Sequence, residues 1–217
     1  ADQTPEQIVG LAPGVAAESQ YARRLAESGC RVIVPTLIDR RLESRNGRVK
    51  LTTREFLYRP AFELGRHLIG YEVQKVLAAV DWFARDAKGG DPKIGVFGWG
   101  EGGMLAFYSG ALDTRIDAVG VSGYFGPREG LWQEPIDRNV FGLLEQFGDA
   151  EIASLIAPRT LKADTAKGPE VVVEPGNGGG PGRITTPVLR AALDEFWRYG
   201  SIVADLERHP NNGGLMA

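Results

Sequence analysis

Apolar residues recur along the chain with two different periods. Ile69, Val73, Val76, Val80 and Phe83 are three or four residues apart, which predicts one face of a long helix over residues 61–87. Gly89 and Gly90 close it. The runs at 93–98 and 116–122 are apolar almost throughout, without the alternation of a half-wet strand, and predict strands covered on both faces. The β-branched run "RVIVPT" at 31–36 predicts another short strand, and "RTLKAD" at 159–164 a weaker one. Helices are expected over 18–28, closed by Gly29, and over 101–112 and 149–158. A last helix over 186–206 opens on Thr186 and Pro187. Between these lie an Arg-rich aperiodic stretch at 39–56, read as an exposed loop, and an irregular excursion at 123–148. The stretch "EPGNGGGPGR" at 174–183 reads as a flexible loop and 208–217 as a tail.

Strands alternating with helices predict an α/β fold, a three-layer α/β/α arrangement with a mostly parallel sheet, in one domain over residues 1–217. Four strands are few for an open sheet. We therefore expect the fold to be incomplete at one or both ends, with the sequence a fragment of a longer chain.

Composition narrows the function. Charged residues make up 24% of the chain and the net charge is -3, so no basic field exists to hold nucleic acid. No apolar run reaches the roughly 20 residues that span a bilayer, so no membrane partner is expected. With one cysteine and two histidines, no metal-ligand spacing arises, and neither metal nor cofactor is expected. Cys30, before an apolar strand, reads as a small buried residue.

The chemistry concentrates at "IGVFGWGEGGML", residues 94–105, a strand, a glycine-rich turn and a helix start. A sharp strand-to-helix turn of this kind needs small residues two positions from its tip, and Gly98, Gly102 and Gly103 supply them. The tip is then Gly100, and Glu101 would lend its backbone N–H to an oxyanion.

Together with "GRHLIGYEVQKVLAAVDWF" and "ALDTRIDAVGVSGYF", this stretch resembles the α/β-hydrolase superfamily, in its dienelactone-hydrolase-like and acetyl-xylan-esterase-like branch. Gly65, Arg66, Gly70 and Asp81 carry the matching pattern on the preceding helix, and "DAEIASLIAPRTL" resembles the approach to the penultimate strand. The resemblance spans residues 16–169. It implies carboxylic-ester hydrolysis by a nucleophile, an acid and a histidine. On this chain the nucleophile position falls on Gly100 and the acid position on Gly168. His209, directly after the last helix, is the weak candidate for the base. The resemblance thus implies a degenerate esterase-like protein. An active hydrolase with another nucleophile, or a non-catalytic binding module of a larger polypeptide, are the alternatives.

Other polar and aromatic residues have ordinary structural roles beside possible functional ones. The side chain of Glu101 is expected to point away from the site, Asp164 and Glu170 are candidate displaced acids, and Ser122 is a strand-end serine. Trp99, Tyr124, Phe125 and Trp132 could line a pocket for a small ester or a carbohydrate, and Arg66 and Arg128 could meet a carboxylate. His67 reads as a helix-surface residue. Gly98, Gly100 and Gly103 match a dinucleotide-loop spacing, but Ser122, not an acidic residue, ends the next strand.

Overall fold

The computed structural model describes residues 3–176 and 178–208. A short helix α1 (Pro5–Ile8), capped by Thr4, leads to α2 (Tyr21–Glu27). A hairpin follows, β1 (Leu42–Arg45) and β2 (Val49–Thr52), turned by Asn46 and Gly47, both with positive φ. Residues 46–48 join the strands, with the Arg48 N–H donating to the Arg45 carbonyl at 3.2 Å, and Asn and Gly are the residues that tolerate such positive φ. Helix α3 (Thr53–Glu63) begins at once, with the Thr52 hydroxyl accepting the Glu55 N–H.

Two of the expected elements are corrected here. The supposed exposed loop at 39–56 holds β1, β2 and the start of α3. The long helix predicted over 61–87 is two helices: α3 ends at Glu63, Gly65 takes φ +69, and α4 (Leu68–Asp86) begins two residues beyond His67's neighbour Arg66. A left-handed backbone at Gly65 cannot continue a right-handed helix.

Strand β3 (Gly95–Trp99), helix α5 (Glu101–Leu112) and strand β4 (Ala118–Ser122) form the centre. After an irregular stretch containing α6 (Leu143–Gln146), helix α7 (Asp149–Ser154) leads to β5 (Thr160–Asp164). The sheet is parallel in the order β3-β4-β5, with Gly98 opposite Val121 and Ser122 opposite Asp164. This α/β architecture with its parallel sheet is the expected fold class. Among the described residues the central sheet has three strands, and the run at 31–36, expected as a strand, pairs with none of them. A second hairpin, β6 (Val171–Val173) with β7 (Gly182–Ile184), precedes the long helix α8 (Leu189–Arg208). Its Gly-rich turn is tied to α3: the Gly180 N–H donates to the Glu55 carboxylate at 3.0 Å, and Arg59 donates to the Gly178 carbonyl at 2.7 Å.

The core gathers where α5 lies on β3 and β4. Met104, Phe107, Ile116, Val119, Val121, Phe125 and Ile156 are all buried there. Helix α5 is apolar on every side, as a helix packed all round must be. Cys30, expected to be buried, is exposed, because the run it precedes joins no sheet.

Candidate functional site

The last residue of β3, Trp99, meets α5 across a single residue, Gly100, at φ +56 and ψ −113. Strand and helix approach so closely that a β-carbon on Gly98 would stand 1.9 Å from the Gly102 carbonyl oxygen. Only glycine fits at 98, and only glycine takes the Gly100 backbone without strain. The turn is held by two bonds: the Gly100 N–H donates to the Ser122 carbonyl at 2.8 Å, and the Met104 N–H donates to the Gly100 carbonyl at 3.1 Å.

Above this tip lies the loop between β5 and β6. A β-carbon on Gly100 would stand 2.6 Å from Cδ and 2.9 Å from Cγ of Pro169. The loop is fastened at three points. The Trp99 indole donates to the Lys167 carbonyl at 3.1 Å, the Ser122 hydroxyl donates to Asp164 at 2.8 Å, and the Gly168 N–H donates to the Thr186 hydroxyl at 2.9 Å. Between loop and tip remains a cavity of about 20 Å³, lined by Gly100, Tyr124, Arg128 and Pro169 among others. That is space for about one water molecule.

Behind the tip, the Glu101 carboxylate is buried in a cluster of arginines. It accepts from Arg54 at 3.0 Å and from Arg40 at 2.5 Å, and it pairs with Arg138. Arg54 also donates to Asp137 at 2.6 Å and Glu72 at 3.3 Å, and Arg138 to Glu134 at 2.5 Å. Burial alone would raise the Glu101 carboxyl, but the charges of Arg138, Arg54 and Arg40 outweigh it and hold the group far below the usual carboxylate range. A carboxylate so firmly ionised and triply bonded is a poor proton acceptor. Its side chain ties α3, the segment at Arg40 and the stretch at Arg138 to the start of α5. Sequence reading missed this cluster, because bonded members such as Arg54 and Asp137 lie 83 residues apart.

A second buried polar group sits beside it. The Tyr108 and Tyr124 hydroxyls are 3.1 Å apart, and the Arg128 guanidinium lies 4.8 Å from the Tyr124 ring centre. Asp149, fully buried at the start of α7, accepts the Gly126 N–H at 3.2 Å. Burial pushes its carboxyl up to about 7, against the pull of Arg128 and of the Gly126 bond.

The structure brings Trp99, Gly100, Glu101, Tyr124 and Gly168 to one place. Gly168, the expected acid position, is buried against the Gly123 carbonyl, where a β-carbon would stand 3.0 Å away. The other expected lining residues are elsewhere. Phe125, 2% exposed, is a core residue against Phe107, and Trp132, 81% exposed, stands in solvent. Arg66 is exposed in the α3–α4 connection. The apolar core claims Phe125, and the irregular stretch after it turns Trp132 outward, so the four expected aromatics do not line one pocket. Glu170 is exposed, and His67 lies among Tyr58 and Phe62, away from the tip. His209 lies outside the described residues. Among the described residues, no His, Cys, Asp and Glu group could hold a metal ion, and no helix is long and apolar enough to cross a membrane.

The sequence profile of the dienelactone hydrolase family matches residues 6–142, from α1 through the turn to Gly142. The chain belongs to the dienelactone hydrolase family. The match spans β3, Gly100, the whole of α5 and every member of the Glu101 cluster. It fits the parallel sheet and the strand–turn–helix at its centre, which is an α/β-hydrolase architecture. In this member of the dienelactone hydrolase family, Pro169 and its loop come from the stretch beyond the matched residues. No curated protein and no solved structure matches the chain.

Proposed function

We propose that this member of the dienelactone hydrolase family is a catalytically degenerate relative of carboxylic-ester hydrolases. Gly100 occupies the nucleophile position of an elbow, Glu101 contributes a backbone N–H at an oxyanion position, and Gly168 takes the place of the acid. The observation that carries this reading is the contact of Pro169 with Gly100: the ring occupies the space where a nucleophile's β-carbon would begin. Acyl transfer needs a nucleophile, a base and room for a tetrahedral carbon at the tip. The cavity between Pro169 and the tip, about 20 Å³, leaves no room there for an acyl group, and the larger cavity of about 1320 Å³ that reaches Trp99, Glu101 and Pro169 does not include Gly100 in its lining.

One observation favours a second reading. The Ser122 hydroxyl donates to Asp164 at 2.8 Å, one strand from the tip, a pairing that an unrecognised nucleophile would need. A carboxylate alone is a weak base for a serine hydroxyl, and the first reading stands above it. Labelling the purified chain with a fluorophosphonate, followed by peptide mapping, separates the two. The first reading expects no adduct, and an adduct on the peptide bearing Ser122 would establish the second.

A further inference from the structure

We propose that the large cavity beside α4 binds a straight-chain alkyl carboxylate, with the carboxylate at Arg40 and the chain laid along α4. The cavity measures about 1320 Å³, and Gly100 is not part of its wall. Val76, Val80 and Phe83 of α4 line it, and so do Val34, Val96 and Leu105. These six side chains are apolar and offer water nothing to bond. Protein interiors hold few voids much larger than a water molecule. Sites for small organic ligands are spaces of about 300–1,000 Å³ or so, with apolar walls and a few placed polar groups. The size and lining here are those of a site for an apolar ligand.

One end of the cavity is polar. Arg40, Glu101 and Trp99 belong to its wall, and Glu101 lies just beyond the carboxyl end of β3. Open α/β sheets bind their ligands outside the carboxyl ends of their strands. The Arg40 side chain is only 6% exposed, and its Nε is buried with no acceptor among the described residues. A buried N–H without a partner is costly. Arg40 also lacks a carboxylate of its own. Its Nη2 donates to Glu101 at 2.5 Å, but Glu101 is shared with Arg54 and Arg138. Asp137, 3.9 Å from Arg40, already accepts from Arg54 at 2.6 Å. A ligand carboxylate supplies both the missing acceptor and a negative charge. An alcohol supplies the acceptor alone, in a weaker bond, and a cation is repelled.

The geometry of α4 sets the chain length. The Ile38 N–H donates to Glu72 at 2.7 Å, so the chain arrives at Arg40 beside the start of α4. From Glu72 to Phe83 the helix rises by about 16 Å. An extended chain of about a dozen bonds covers that distance. Dodecanoate therefore matches the site. Ala79 also lines the cavity, between Val76 and Val80 on the helix, and a larger side chain there takes up the ligand's space.

Equilibrium dialysis of the purified wild-type chain against isotopically labelled octanoate, decanoate and dodecanoate tests this. One saturable site per chain is expected, with affinity rising about tenfold for each two methylenes added. Dodecan-1-ol and dodecylammonium should bind at least about tenfold more weakly than dodecanoate. Ala79→Phe, with its fold checked by its urea midpoint, should lose at least about tenfold in dodecanoate affinity. Absence of saturable uptake up to about 1 mM dodecanoate overturns the inference. So does an affinity that ignores chain length, or one equal for dodecanoate and dodecylammonium. Undiminished binding by folded Ala79→Phe places the ligand elsewhere and also overturns it. Should that variant not fold, the wild-type series decides alone.

Discussion

The ring of Pro169 lies within 2.6 Å of the point where any side chain on Gly100 would start. Two costs therefore meet in Gly100→Ser: a positive φ that serine resists, and an overlap with a rigid ring. The first is worth about 1–3 kcal/mol and the overpacking about as much again. Gly100→Ser is expected to destabilise the chain by about 2–6 kcal/mol in urea unfolding. Pro169→Ala removes Cγ and Cδ, the two overlapping atoms, and in the double variant should recover the overlap but not the backbone strain. Equal stability of Gly100→Ser and wild type would show that the loop yields easily.

Glu101 joins the turn to three buried arginines. Glu101→Gln leaves Arg40, Arg54 and Arg138 with one buried negative charge fewer. Breaking a buried ion network from one side costs about 3–5 kcal/mol. Because the folded Glu101 carboxyl lies below its ordinary value of 4.5, its contribution is present above that pH and is lost as pH falls. The Gln variant should therefore lose most stability near neutral pH and approach wild type on acidification, as read by denaturation midpoints across the acid range.

Asp149 has the opposite sign. Its folded carboxyl is raised from 3.8 to about 7, so its neutral form is favoured on folding. The stability it contributes is full below 3.8 and declines as pH rises toward about 7. The interval corresponds to about 4 kcal/mol. Asp149→Asn keeps an acceptor for the Gly126 N–H and does not titrate. Urea unfolding of the wild type should weaken from about pH 4 to about pH 7, and the Asn variant should not show that decline. An identical slope in both would place the titration on another group.

Ser122 donates one hydrogen bond to a carboxylate that is itself exposed and that also accepts the Ala166 N–H. Ser122→Ala should cost about 1 kcal/mol, the worth of one such bond. Thermal unfolding of the variant checks this, and a loss several times larger would show that the serine anchors the whole loop.

The parts of the fold that follow local patterns were legible in the sequence. The turn from β3 to α5 was legible because its close approach at Gly98 demands glycine, and β4, β5 and α8 followed from their residue patterns, although α8 begins at Leu189 and not at the expected Thr186–Pro187 cap, since the Thr186 hydroxyl instead holds the Gly168 N–H. The segment at 39–56 was not, because its arginines look solvent-exposed when read locally. Arg54 is buried by Asp137, Glu72 and Glu101, none of them near it in sequence. The Asn46-Gly47 turn was a readable signal that the charge pattern obscured. Phe125 and Trp132 have the same aromatic character, and only packing against Phe107 separates a core residue from a solvent-exposed one. The contact between Gly100 and Pro169 joins positions 69 residues apart, and no period or motif predicts it.

Hydrolysis of a panel of short acyl esters by the purified wild-type chain tests the central claim most directly. The closed turn predicts no saturable turnover above that of the urea-unfolded chain, for any acyl length. Saturable hydrolysis that disappears in Ser122→Ala would contradict it, and would move the active centre from the Gly100 turn to the Ser122–Asp164 pair.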